Sequence, residues 1–370
     1  MDQKIYELAV ELRHELHMHP ELSCEEVWTK AHLMEFLQKH TNLKLVDKGR
    51  WFYAVYKGGG DKAPIGFRCE FDALPFPDNV DVPYVSQIPG KGHKCGHDGH
   101  AATMCAFAME LEKNKVQRDV YLIFQHGEED GAGAKECGDF VPETGIKEIY
   151  AYHNCNEKAK GTVKLFRTYY ACASMGMNIR FAGVPCHASR PEDGKNPAGA
   201  VSRTVLKIGE IAHQSRFCEL VMATIVEIAV GEHAFGISAS KGSIGVTLRA
   251  MQDVDMYQIR DEIIAFASAE AEREGLTVEF SYEDIFPDCT GDEAHCEKIR
   301  QAAEALGYPY FYGEPNRGSE DFGWFLKQCP GSMFDFSCGE GTPDIHTNEY
   351  DFDDTIIPGA VAMFLQLTKM

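Results

Sequence analysis

The segment Lys94-Cys95-Gly96-His97-Asp98-Gly99-His100 gathers a thiol and two imidazoles around two glycines, where a helical pattern begins. Thiolate and imidazole both ligate a borderline-soft divalent metal such as zinc. Taken alone, the segment reads equally as a glycine turn capped by Asp98 with two surface histidines. A second group, His126-Gly127-Glu128-Glu129, directly follows an apolar run ending at Gln125. Open α/β sheets bind ligands at the carboxyl ends of their strands, and adjacent carboxylates repel there unless a cation or a proton separates them. One carboxylate can then ligate a metal while its neighbour takes a proton from water; an isolated Glu-Glu pair is otherwise two solvated acids. His153 follows the apolar run Tyr150-Ala151-Tyr152, and His346 lies in the loop Pro343 to Glu349. In Arg68 to Pro75, alternation points Glu70 and Asp72 to one side. Asp72 can accept a hydrogen bond from a ligand imidazole, or cap a loop.

These residues need a scaffold that brings distant segments together. Leu8, Leu12 and Leu16, then Val27, Ala31, Met34 and Leu37, recur at helical spacing on either side of Pro20. Trp51 to Tyr56 and Ile65 to Cys69 read as strands flanking Gly58-Gly59-Gly60. A helix from His97 to Glu112, a strand Val120 to Gln125, a helix from Ala132 and a strand Ile149 to His153 continue the alternation of an α/β domain with a mostly parallel central sheet. From Ala173 the texture changes to strands (Gly176 to Phe181, Leu220 to Val230) and helices (Pro197 to Ala212, Tyr257 to Glu274), the pattern of a smaller α+β insertion. Helices at Ala294 to Leu306, Glu320 to Gln328 and after Pro358 complete the first domain. The expected boundaries are 1–172 and 286–370 for the larger domain and 173–285 for the insertion.

With 370 residues, 44% of them hydrophobic, the chain can bury the cores of two domains. A formal charge of −21 repels phosphate backbones and anionic lipid, which argues against nucleic acid and membrane as partners. The first twenty residues lack the apolar core of a signal peptide, and no stretch is apolar for long enough to span a bilayer, so a cytoplasmic location is expected. Thirteen scattered cysteines, an odd number, do not suggest a disulfide framework.

In order and spacing, His14 to Glu26, Arg68 to Pro75, Cys95 to His100, Gln125 to Glu129, Gly183 to Ala198, Gly318 to Phe322 and His346 to Asp354 resemble the aminoacylase-like metallopeptidase family. The similar branch contains hippurate hydrolases, plant auxin-conjugate amidohydrolases and bacterial N-acetyl-diaminopimelate deacetylases. The resemblance implies a metal-binding α/β domain interrupted by a lid used for dimerisation. It also implies a divalent metal pair in each subunit, zinc or manganese, with cobalt or nickel as substitutes. By motif, Cys95, His97, Glu129, His153 and His346 match the metal ligands, Glu128 the general acid/base, and Asp72 the carboxylate that supports the site. His187, in Gly183 to Pro191, matches a lid histidine that donates to the oxyanion, often in the partner subunit's site.

The implied activity is hydrolysis of the amide bond of an N-acyl amino acid or similar small conjugate, by metal-activated water with Glu128 moving the proton. A carboxypeptidase or dipeptidase is the alternative within enzymes, and a metal-binding homologue without catalysis is the alternative outside them. The chain departs from the branch at Glu70, usually aspartate, at His126-Gly127, usually Pro-Ala, and at Gly236, where the branch has a substrate-facing asparagine. Arg317 and Arg249 are the candidates for binding a substrate carboxylate.

Overall fold

The alternation of strands and helices resolves into two compact units in the computed structural model, which describes residues 1–370. The first unit comprises Met1–Tyr170, Cys289–Pro315 and Asp321–Met370, the second Ala171–Asp288 and Asn316–Glu320. No helix is long and apolar enough to cross a membrane.

The first unit is built on an eight-stranded sheet in the order Lys44–Asp47, Phe52–Tyr56, Arg118–Gln125, Lys62–Glu70, Glu148–Cys155, Gly331–Ser337, Val163–Leu165, Tyr310–Tyr312. The four strands from Arg118–Gln125 to Gly331–Ser337 are mutually parallel, with Glu70 opposite Gln125 and Ser337 opposite Cys155. Their carboxyl ends therefore lie along one edge of the sheet. The helices Gln3–Met18, Val27–His40, His97–Asn114, Glu293–Leu306 and Ile357–Leu367 share one apolar core with these strands. Phe364 sits in it among the rings of Phe67, Phe107, Tyr152 and Phe334.

The strands on either side of Gly58-Gly59-Gly60 are separated in the sheet by Arg118–Gln125. One expectation changes here: the helix expected from Glu320 to Gln328 shortens to Gly323–Leu326. Asp321 is committed instead to Arg68, to Gln125 Nε2 and to the Ala134 N–H, so residues ahead of Gly323 approach as a turn. The strand Gly331–Ser337 has no counterpart among the sequence-derived elements. It is buried at every position, which removes the alternation that marks a half-exposed strand.

In the second unit an antiparallel sheet runs Val221–Val230, Lys241–Ala250, Ala173–Ala182, Thr277–Phe286. Met175, Met177, Ile179 and Phe181, two apart along one strand, join Ile208, Ile259 and Ile263 of the helices Ala198–Ile211 and Asp253–Glu274 in one core. The short segment Asn316–Glu320 belongs to this unit. The Cys172 N–H donates to the Asn316 and Gly318 carbonyls, and the Ser174 and Ser319 hydroxyls are 2.7 Å apart.

The loops that follow the parallel strands are tied to the first helix by charge. Arg13 and His17 are fully buried on Gln3–Met18. Arg13 bonds Asp351 at 2.7 Å and Asp354 at 2.8 Å, while His17 lies 2.7 Å from Asp98 and 3.1 Å from Asp78. Burial disfavours a charged imidazole, but the two carboxylates outweigh it and push His17 up to about 9. Its folded value lies above the ordinary 6.5, so the stability it contributes is fully present below about pH 6.5 and is lost as pH rises through about 9. His17→Gln should cost about 3–5 kcal/mol below that window, the usual penalty for breaking a buried pair. Urea midpoints of the two proteins should converge as the pH is raised from 6 to 9.5; a constant gap would contradict a charged His17.

Candidate metal centre

The chemistry-bearing residues of the first unit meet at the carboxyl edge of its parallel strands. His153 lies within Glu148–Cys155, Glu128 and Glu129 form the turn after Arg118–Gln125, and Asp72 follows Lys62–Glu70. Cys95 precedes the helix whose first residue is His97. Gly96 makes that junction with φ of 96°, and a Cβ there would collide with Asn154 Oδ1 and with Tyr350 Oη. A similar argument holds for Gly127, φ 53°, whose Cβ would lie 2.9 Å from Cys24 Sγ.

Two triads share the Cys95 thiol. The ligand atoms of Cys95, His97 and His153 lie within 4.8 Å of one another, and so do those of Cys95, Glu129 and His346. Cys95 Sγ is 3.4 Å from His153 Nε2, and His346 Nε2 is 3.4 Å from Glu129 Oε1. Glu128 stands beside them, its Oε2 3.9 Å from His97 Nε2 and its Oε1 3.4 Å from the Asp321 N–H.

The hydrogen bonds behind the cluster orient each donor. Asp72 accepts from His97 Nδ1 at 3.0 Å, from the Glu129 N–H at 2.9 Å and from Ser23 Oγ at 2.8 Å. That leaves His97 Nε2 pointing inward, buried and without a hydrogen-bond partner; Glu129 Oε1 is in the same state. His153 Nδ1 is 2.8 Å from the Asn154 carbonyl, which places its proton there and the lone pair on Nε2, toward Cys95. Burial, with His100 adding to it, holds His153 well below the usual imidazole range, so it is neutral.

Unpartnered, inward-aimed N and O atoms beside a thiol could hold a divalent cation. Burial and the nearby Glu129 and Glu128 push the Cys95 thiol up, whereas a bound cation would favour the thiolate. Burial lowers His97, but Asp72, Glu70 and Glu129 raise it to about 10, so the cluster attracts positive charge.

His100 takes no place among these donors. It is fully buried between Glu70 and Asn154, with Nε2 2.8 Å from Asn154 Oδ1. Glu70 also reaches Arg68, whose Nη2 is 2.6 Å from Asp321 Oδ1. Several residues that shape the centre have no role in the sequence reading. Glu26 Oε1 accepts from the Gly127 N–H at 2.7 Å, and burial with Asp72 nearby pushes its carboxyl up to about 8. Arg68 offered a visible signal, a charge inside the apolar strand Ile65 to Cys69.

His187, Arg249 and Arg317 belong to the second unit. The His187 Nδ1 accepts from the Ser189 N–H at 3.1 Å, which puts its proton on Nε2, and the residue is exposed. Arg249 Nη1 donates to the Arg317 carbonyl at 3.1 Å and to Ser319 Oγ at 2.8 Å. Arg317 is exposed. A Cβ built on Gly236 meets nothing within 4 Å.

The chain is 24% identical to an N-acetylcysteine deacetylase of Bacillus subtilis, over 99% of this chain and 97% of that protein. It is 26% identical to a hippurate hydrolase of Campylobacter jejuni, over 96% and 94%. In fold it matches the crystal structure of the Bacillus subtilis YXEP protein, described as a dinuclear metal binding peptidase, with a TM-score of 0.84, 23% identity and coverage of 99% and 98%. Residues 66–370 match the model of peptidase family M20/M25/M40, and the chain belongs to that family.

Proposed function

We propose that the protein is a metal-dependent amidohydrolase that cleaves the amide bond of an N-acyl amino acid or similar small conjugate. The observation that carries this reading is the pair of triads sharing the buried Cys95, with Glu128 beside them. The deacetylase and hippurate hydrolase relatives support it. Cys95, His97 and His153 would hold one divalent cation and Cys95, Glu129 and His346 a second. When bound, such a pair supplies Lewis acidity toward water and toward the amide carbonyl.

The chain's own residues supply the proton path. Glu128 takes a proton from the attacking water as its oxygen bonds to the carbonyl carbon. It then delivers that proton to the leaving nitrogen as the C–N bond breaks, giving a carboxylate and an amine. Asp72 keeps its proton-sharing contact with His97 throughout and so fixes the imidazole's orientation. His187, with its proton on Nε2, donates to the developing oxyanion, in its own subunit or in that of a dimer partner formed through the second unit. Of the two arginines, Arg249 already holds the segment that carries Arg317. We therefore assign the grip on a substrate carboxylate to the Arg317 fork, with Arg249 presenting it.

Turnover of N-acetyl, N-benzoyl and longer N-acyl amino acids against unblocked dipeptides, with zinc, manganese or cobalt added, tests the reading. Cleavage of unblocked dipeptides alone would reject it. Glu128→Gln should lower kcat by about 10²–10⁴-fold, the usual contribution of a general acid/base, and leave metal content by elemental analysis near that of wild type. Loss of metal together with activity would make Glu128 a ligand instead.

Cys95→Ala should reduce bound metal, since its thiol belongs to both triads. Cys105→Ala, a fully buried position in the helix His97–Asn114, should cost about 1 kcal/mol of stability and no metal. Equal metal retention by the two variants would remove Cys95 from the ligand set.

A further inference from the structure

Lys94 is fully buried, one residue before Cys95. Its ammonium is ion-paired with Asp78 and donates to the Tyr350 carbonyl at 2.8 Å. Its own carbonyl accepts from the His346 N–H at 2.6 Å. One residue therefore grips the segment from His346 to Tyr350 at both ends, by backbone at one and by side chain at the other.

His346 needs such a grip. Its φ of 61° is in the left-handed region, which few non-glycine residues occupy although histidine does so more often than most, so its backbone depends on the contacts around it. Its imidazole is 44% exposed, so packing does not fix the ring, and it faces Glu129 across 3.4 Å. By contrast, His97 and His153 are anchored by Asp72 and by the Asn154 carbonyl, neither of which is a hydrogen-bond partner of Lys94. Asp78 is in turn fixed by the Ser86 N–H at 2.8 Å and by His17 at 3.1 Å, so the far end of the tie does not yield. Lysine suits the position because one backbone site must reach groups on two separate loops, and a methionine of similar length has no donor for either.

We propose that Lys94 is a positioning residue for His346: it sets the affinity of the half-site formed by Cys95, Glu129 and His346, while the half-site of Cys95, His97 and His153 assembles without it. The proposal rests on the reading of the cluster as a two-metal centre.

Cobalt(II) titrated into metal-free protein provides the test, with visible absorption reporting thiolate-bound cobalt and desalting followed by elemental analysis giving the number of ions per chain. Wild type should take up two. Lys94→Met should bind the first as wild type does, with the thiolate-to-cobalt absorption intact, and the second about 10–100-fold more weakly, the usual effect of removing a ligand's supporting partner. Placed in a His346→Ala background, Lys94→Met should weaken the second ion no further. Because Lys94→Met leaves the buried Asp78 carboxylate without its ammonium, Lys94→Met with Asp78→Asn is measured beside it and should show the same selective loss. An undiminished second ion, equal weakening of both ions in the doubly substituted protein, or a further loss on top of His346→Ala would overturn the proposal. A wild-type chain that binds fewer than two cobalt ions would instead reject the two-metal reading beneath it.

Discussion

At the carboxyl edge of the parallel strands, imidazole, thiol and carboxylate groups are gathered with too few partners of their own. His97 Nε2 and Glu129 Oε1 are buried and unbonded, and Glu128 and Glu129 are neighbours of like charge. Each unsatisfied buried group costs about 1–3 kcal/mol, a large share of the roughly 5–15 kcal/mol that holds a domain together. A surface this poorly satisfied persists only if the side chains are pinned from behind, and the pinning is visible. Asp72 alone accepts from an imidazole, a backbone amide and a hydroxyl. The deficit faces inward, toward the space where a cation would sit, and the satisfaction faces outward, toward the scaffold.

The scaffold under the loops is itself charged. Lys94, Asp78, His17, Asp98, Arg13 and Asp351 alternate in sign through the interior. Desolvation makes such chains poor sources of stability compared with apolar packing. Their use lies in geometry, because each charge has two fixed partners and none can shift without stranding another. A hydrophobic replacement would hold the helix Gln3–Met18 equally well but would not specify where the loops bearing Asp78 and Tyr350 stop.

How much of this the sequence discloses depends on where the information resides. Residue type and the apolar runs ending at Gln125 and Tyr152 marked the members of the triads as candidates, but only the family resemblance joined them into one ligand set, since each alone reads as well as a capped turn, a solvated acid or a loop histidine. The strand Gly331–Ser337 was not, since burial on both faces erases alternation and Asp335, tied to Tyr170 at 2.7 Å, interrupts the run. Nor was the attachment of Asn316–Glu320 to the second unit, which is made by hydrogen bonds to residues some 145 positions away. Arg13 and His17 read as the polar face of an amphipathic helix, because nothing local distinguishes a solvated arginine from one that meets Asp351 and Asp354. Lys94 was hidden in the same way beside the most conspicuous motif in the chain.

Amide hydrolysis of an amino acid conjugate needs a cation site, a proton carrier, an oxyanion donor and a grip on the substrate's own charge. On the proposed reading the first unit would supply ligands and a proton carrier, yet the guanidinium beneath its centre, Arg68, is committed to Glu70, Asp321 and Gln125. It cannot turn to a substrate carboxylate without leaving two buried acids uncompensated. The residues proposed as oxyanion donor and carboxylate grip, His187 and Arg317, belong to the second unit. His187 is locked by Ser189 in the tautomer that donates from Nε2, and Arg317 is exposed on a segment that Arg249 and Ser174 fasten to the sheet. Where the resemblance implies a substrate-facing asparagine, Gly236 leaves open space. If the Arg317 fork grips the substrate as proposed, recognition would rest on the substrate's carboxylate rather than on an amide contact at Gly236. On that proposal, the differences at Gly236 and Arg317 bear on which conjugate is held and leave the proposed proton carrier, Glu128, untouched.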